Sequence, residues 1–331
     1  MAEFTGRRWQ AMFLLLQLLQ WLPSSTLPVT HPLRTAVDLI NESGPFLGLV
    51  MAFSDEANAL RSSATFVPRS DIPWLDLYGR RFHVGRIHGV DVIYVMSGQR
   101  RLNAGITVQI LLDLFDVCGI VHYGIAGSAN DSLSFGDVSV PKFMAYTGSW
   151  TWTKFGSLEG VTPELSFGSY SIPQKSENLL SKVKFKTEEF YSVGKVMEEV
   201  FWLQVDPKWF ELAQQLEGLE LQQCINETYC LPEAPKVVFG LKASTGDVFV
   251  DNAAYRKFLF EEFDVSTVDE ESAAILMTAM SPGIPVMVFR GVSDLAGGEE
   301  AKWSSTSLNT LACENALRVA LEFIAAIGKQ S

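Results

Sequence analysis

The sequence predicts an α/β protein, a single domain built on a central mixed, largely parallel twisted sheet flanked by helices. Three observations predict it. Apolar runs of strand length alternate with longer segments of helical character along most of the chain. Several of those runs are continuously apolar rather than alternating, as in strands buried on both faces. The 331 residues are 47% hydrophobic and 19% charged, ample material for a large core.

The N-terminus stands apart from this pattern. Arg7 and Arg8 precede an apolar run from Ala11 to Leu22, followed by small residues and prolines. The run is shorter than the ~20 residues a membrane span needs, and it reads as a secretory signal peptide over about residues 1–28. A signal anchor or a buried helix is the competing reading, and the mature chain is expected to have no stable membrane span.

The domain is expected over 40–331. "FLGLVMAF" (46–53) reads as a buried strand, followed by an acidic loop at 54–58. Residues 81–98 read as two strands joined at His88-Gly89, and 103–115 as a helix apolar on nearly all faces and packed on both sides. Residues 118–129 read as a strand entering a glycine-rich loop, and "GDVSVP" (136–141) begins another strand. An irregular, aromatic-rich insertion occupies about 150–235, with one helix capped by Asp206 and started by Pro207. Trp150, Trp152 and Phe155 there suit either a subunit interface or a subsidiary core. Strand 236–244, a helix near 252–262, a helix over 270–280, the strand "IPVMVFRGVSD" and a final helix from Thr306 to Ile327 complete the chain. Ligands of such sheets bind beyond the carboxyl ends of strands, where the loops 54–58, 124–129 and 293–298 and the helix start at Asp269-Glu270-Glu271 are expected to converge.

A net charge of -12 and the absence of basic runs argue against nucleic acid as a partner. Sequons at Asn41, Asn130 and Asn226 agree with a secretory address, extracellular, cell-wall or vacuolar. Cys224 and Cys230 bracket a short loop that a disulfide would close in an oxidising compartment, whereas Cys118 and Cys313 read as buried free thiols. The four histidines lack zinc spacing, so no metal is expected. P-loop, dinucleotide-binding and serine-hydrolase motifs are also missing. What remains is a set of carboxylates at strand ends: Glu56, Glu271 and Asp294. Glycosidic cleavage needs such a set, one acid for the leaving group and others for the sugar and the nucleophile.

The chain resembles the nucleoside phosphorylase and methylthioadenosine nucleosidase family, and in particular its plant secreted branch of bark storage proteins and cytokinin riboside phosphorylases. The likeness is carried by "GLVMAFSDEANAL", "YGIAGSANDSLSFGDVSVP", "STGDVFVDN", "VDEESAAIL" and "VFRGVSDLAGG", in the family's order. It implies that Glu56 positions an attacking water, Phe249 stacks on a purine, Glu271 holds the ribose hydroxyls and Asp294, beside Ser293, protonates the leaving base. Ala126 and Gly127 of the glycine loop would meet the base or an anion. It also implies a small-molecule nucleoside as substrate, no cofactor, and a homo-oligomer.

Three departures bear on the nucleophile. His122 stands where the phosphorylases carry a phosphate-binding arginine, a second such arginine has no counterpart, and Glu270 replaces a methionine expected under the ribose. Arg100 and Arg101 are the residues that would compensate if inorganic phosphate is a co-substrate. The resemblance therefore implies purine nucleoside cleavage by phosphorolysis or hydrolysis. A storage protein, and a nucleoside binder that has lost catalysis, are the alternatives.

Overall fold

In a computed structural model of the chain, the described residues are 27–152, 164–166, 182–226, 229–297 and 309–330. The expected signal peptide lies outside them except for its last residues, and Phe155 is also outside. No helix among the described residues is long and apolar enough to cross a membrane.

The central sheet contains β1 (Phe46–Met51), β2 (Phe66–Pro68), β3 (Trp74–Leu77), β4 (Arg80–Ile87), β5 (Val90–Met96), β6 (Val117–Ser128), β7 (Val138–Val140), β8 (Phe143–Tyr146), β9 (Leu203–Gln204), β10 (Val237–Phe239), β11 (Lys242–Thr245), β12 (Val265–Asp269) and β13 (Val286–Leu295). Its long path runs β9-β8-β11-β12-β6-β1-β5-β4-β2, with β13 joined to β6 and β7. The helices are α1 (Arg34–Asn41), α2 (Ser54–Ser63), α3 (Arg101–Leu114), α4 (Pro207–Gln214), α5 (Ala253–Phe263), α6 (Ser272–Met280) and α7 (Asn309–Gly328). This is the mixed, largely parallel α/β domain that the sequence predicts. Antiparallel pairing is found in the β2–β5 hairpins, at two short strand junctions and where β12 meets β6.

Local chemistry accounts for most boundaries. All six residues of β1 are buried, as a strand between β5 and β6 must be. The β4–β5 turn forms at His88-Gly89, both at positive φ. Asp206 caps α4 by accepting the Trp209 N–H at 2.9 Å, and Pro207 opens it. In the expected strand 236–244, Gly240 at φ 82° breaks the run into β10 and β11, which pair with different neighbours.

Other boundaries correct the sequence reading. The glycine-rich segment after Tyr123 is not a loop: β6 continues to Ser128, taking β13 along its length and β12 at its end. Side-chain-poor residues let other groups crowd onto that strand. Residues 54–58 are the first turns of α2, and Ser293–Leu295 still belong to β13. Helix α3 is packed on one side only, since Leu102 and Ile106 are exposed. Strand β12, too short and too mixed in composition to stand out, separates the two helices expected around it.

The Cys224–Cys230 disulfide forms and ties a two-stranded hairpin. Cys313 is buried as expected, but Cys118 is exposed. Asn41 is buried, donates to the Leu114 carbonyl and accepts from the Asp116 N–H, so its sequon is closed to a glycan in the folded chain. Some of the described aromatic residues around 150–235 join α5 in a subsidiary core in which Phe185 meets Trp150, Phe258 and Phe263, and Phe201 stacks on Phe263, whereas Trp152 is exposed.

Candidate active site

At the carboxyl end of β1 the chain turns into α2, leaving the first helical N–H groups without intrahelical partners. Glu56 in the first turn of α2 supplies one. Its Oε2 accepts the Phe53 N–H at 2.9 Å and the Ala52 N–H at 2.7 Å. Its Oε1 accepts the Ile125 N–H of β6 at 2.9 Å. The residue is 2% exposed. Oε2 is thereby saturated, and Oε1 keeps one lone pair. Burial pushes the Glu56 carboxyl above its ordinary range, against the pull of Arg290 and the three amides.

β12 ends in Asp269, whose Oδ1 accepts the N–H groups of Glu271 and Ser272 at 3.0 and 2.9 Å and the Thr245 hydroxyl at 2.7 Å. Asp269 is thus the device that starts α6, and it aims Glu271 inward. Glu271 Oε1 accepts the Arg100 backbone N–H at 2.9 Å, and Oε2 accepts Arg290 Nη2 at 3.1 Å. Each oxygen keeps a lone pair, a fit to two neighbouring hydroxyl groups.

Arg290 on β13 is the hub. It is fully buried, and its guanidinium lies 3.1 Å from Asp269, 3.1 Å from Glu271 and 3.8 Å from Glu56. It also donates to the Ser272 hydroxyl and the Ile125 carbonyl. One cation among three buried carboxylates cannot neutralise all of them. Burial accordingly drives Glu271 up to about 7 against the effect of Arg290. For Asp269, burial raises the carboxyl, but Arg290 and the Ser272 and Thr245 donors outweigh it and the net shift is downward.

Gly124 makes this hub sterically possible. A Cβ built on it would overlap both Glu56 Oε1 and Arg290 Nη1. Gly124→Ala is therefore expected to destabilise the fold by about 1–3 kcal/mol through overpacking and to lower ligand affinity, which denaturant melts and calorimetry would read. An unchanged melt would show that the hub relaxes freely.

At the end of β13, Ser293 donates its hydroxyl to Asp294 Oδ2 at 2.7 Å. Asp294 Oδ1 lies against Gly127, where a Cβ would come within 3.0 Å of it. Burial raises the Asp294 carboxyl; the Ser293 hydroxyl lowers it and Asp251 raises it further. Its two oxygens are thus differentiated: Oδ2 accepts a hydrogen bond, and Oδ1 is free to carry a proton.

These groups line one cleft of about 200 Å³ with Ala126, Gly127, Ser293, Glu270, Gln99 and, from the segment after β11, Phe249. Phe249 is 71% exposed and stands at the rim. The eight residues that the sequence pointed to as catalytic or substrate-binding are therefore together. The three phosphate candidates are not among the lining residues. Arg100 extends outward, its Nε 3.8 Å from Glu270. Arg101 pairs with Asp247 at 2.8 Å and lies over the Tyr146 ring. His122 is fully buried in β6, with Nδ1 at 2.9 Å from the Val50 carbonyl. Burial, with Arg290 nearby, lowers it to about 3, so the ring is neutral and offers no charge to an anion. Arg290 is the residue that sequence reasoning passed over; the signal was a single arginine inside an apolar strand, a charge that must have buried partners.

The phosphorylase superfamily profile matches residues 46–325, spanning both the sheet and all the carboxylates of the cleft. The chain belongs to the phosphorylase superfamily. Among relatives in that superfamily, it is 39% identical over 283 residues to bark storage protein A of Populus deltoides, covering 85% of this chain and 88% of that one. It is 26% identical to a 5'-methylthioadenosine/S-adenosylhomocysteine nucleosidase of Listeria welshimeri, covering 85% and 99%. The solved 5'-methylthioadenosine/S-adenosylhomocysteine nucleosidase of S. pneumoniae superposes with a TM-score of 0.60 at 21% identity, over 86% of this chain and all of that one. The fold is thus that of the superfamily's nucleosidases.

Proposed function

We propose that the chain hydrolyses the N-glycosidic bond of purine-type nucleosides, cytokinin ribosides among the candidate substrates. The observation that carries this reading is the charge of the cleft: among the described residues, five carboxylates line it and no cationic side chain does. An anion such as phosphate meets no cationic side chain there, whereas a neutral nucleoside and a water molecule need none. Asp294 donates the proton from Oδ1 as the base departs. Glu271 holds the sugar hydroxyls as positive charge develops on the ring. The remaining lone pair of Glu56 Oε1 orients the attacking water. The base rests between Phe249 and the β6 backbone at Ala126 and Gly127. The leader and the Cys224–Cys230 disulfide support a secretory address for this activity.

Base release from adenosine, inosine, methylthioadenosine and isopentenyladenosine, followed with and without phosphate, tests the reading. Release at equal rates in both conditions is expected. Release that requires phosphate, or none from any nucleoside, contradicts it. The likeness to bark storage protein A favours a second reading, a nitrogen reserve without turnover. Complete inactivity together with abundant accumulation in storage tissue would favour that one.

A further inference from the structure

We infer that Glu270 selects the substrate at its sugar end, its free carboxylate oxygen accepting a hydrogen bond from the 5′-hydroxyl of the nucleoside. The site then takes nucleosides with an unmodified sugar in preference to 5′-deoxy and 5′-alkylthio analogues. This rests on the nucleosidase reading above.

Glu270 lines the cleft, and its side chain is only 15% exposed. Its Oε1 is buried and has no hydrogen-bond donor among the described residues. The nearest cation, Arg100 Nε, stands 3.8 Å away, beyond hydrogen-bonding distance, on a side chain that is 64% exposed. Every other carboxylate of the cleft is held. Glu56 accepts three backbone amides, Glu271 accepts from Arg100 and Arg290, Asp269 accepts from Thr245 and Arg290, and Asp294 accepts from Ser293. A buried acceptor left open inside a binding cleft is an acceptor awaiting a donor.

The position of Glu270 says which donor. Asp294, with Gly127 and Ser293, marks the base end of the cleft. Glu271 has a free lone pair on each oxygen, which suits the vicinal hydroxyl pair of a ribose. Glu270, the chain neighbour of Glu271, lies among Arg100, Asp247 and Asp269. The polar group of the sugar still without a partner is the 5′-hydroxyl. A hydroxyl there would supply the donor that this oxygen lacks and an alkyl group would not, which is how polar sites reject analogues that lack one hydroxyl. Burial, partly countered by Arg100, raises the Glu270 carboxyl; protonated or ionised, it retains an oxygen that accepts.

The test compares adenosine with 5′-deoxyadenosine and 5′-methylthioadenosine. Turnover by the wild type and by Glu270→Leu gives kcat/KM ratios. Calorimetry on Asp294→Asn, with and without Glu270→Leu, gives binding ratios that do not depend on chemistry. Loss of the 5′-hydroxyl is expected to cost the wild type about ten- to a hundredfold. Glu270→Leu is expected to bring that ratio below threefold, mainly by weakening adenosine, while Glu270→Gln keeps most of the preference because its amide oxygen still accepts. Equal ratios for wild type and Glu270→Leu, or a wild-type preference for the 5′-deoxy compound, overturn the inference. If no nucleoside is cleaved but calorimetry shows the Glu270-dependent preference, the hydrolytic reading fails and the inference stands.

Discussion

Asp294→Asn is expected to lower the rate of base release by about 10²- to 10⁴-fold and to leave nucleoside affinity within a few-fold. A purine departs readily only when a ring nitrogen takes up a proton as the C–N bond breaks. The proposed mechanism places that transfer on one oxygen. Ser293 occupies Asp294 Oδ2 at 2.7 Å, which leaves Oδ1, beside Gly127 at the cleft wall, to carry the proton in the proposed role. Burial holds the carboxyl above its ordinary range, the direction that a proton donor requires. Asparagine preserves the shape, the Ser293 contact and a donor at the Oδ1 position, but it has no proton to give. The loss should therefore fall on kcat rather than KM. Single-turnover kinetics on a purine nucleoside would read it, and a variant retaining more than a tenth of the wild-type rate would remove Asp294 from the role of acid.

Arg290→Met is expected to be the most destabilising single change at the site, by about 3–5 kcal/mol. Its guanidinium is fully buried and engages Asp269, Glu271 and Glu56 at 3.1, 3.1 and 3.8 Å. Methionine would fill much of the volume and leave three buried carboxylates without a counter-charge. They would have to take up protons, and Glu271 would lose one of its two fixed contacts. Arg290→Lys restores a charge but not the planar set of donors, so it should recover part of the stability and little of the ligand binding. Urea titrations of the three proteins check this. A shift below 1 kcal/mol for Arg290→Met would show that the carboxylates do not depend on the arginine.

How much of this was legible in the sequence differs by element, for physical reasons. Strand β1, the β4–β5 turn, the α4 cap and strand β13 follow from local signals: a continuous apolar run, a positive-φ dipeptide and Asp206-Pro207. The acids Glu56, Glu271 and Asp294 were legible as strand-end carboxylates, and motif order assigned their roles. Three things were not legible because they depend on contacts remote in sequence. Arg290 draws its partners from β12 and α2. The segment after Tyr123 stays extended only because β13 and β12 pair with it. Asn41 is consumed by Leu114 and Asp116, some seventy residues away. His122 illustrates the same limit: its place in the motif pointed to an anion site, but only the β1–β6–β13 register shows it sealed inside the sheet.

In the proposed reaction water, oriented by Glu56 in the cleft, attacks the sugar. The most direct measurement is the mass of the sugar released from a purine nucleoside in ¹⁸O-enriched water containing phosphate. Free ribose carrying one ¹⁸O atom is expected. Ribose 1-phosphate as the product, or no sugar released while the nucleoside remains bound, would contradict it.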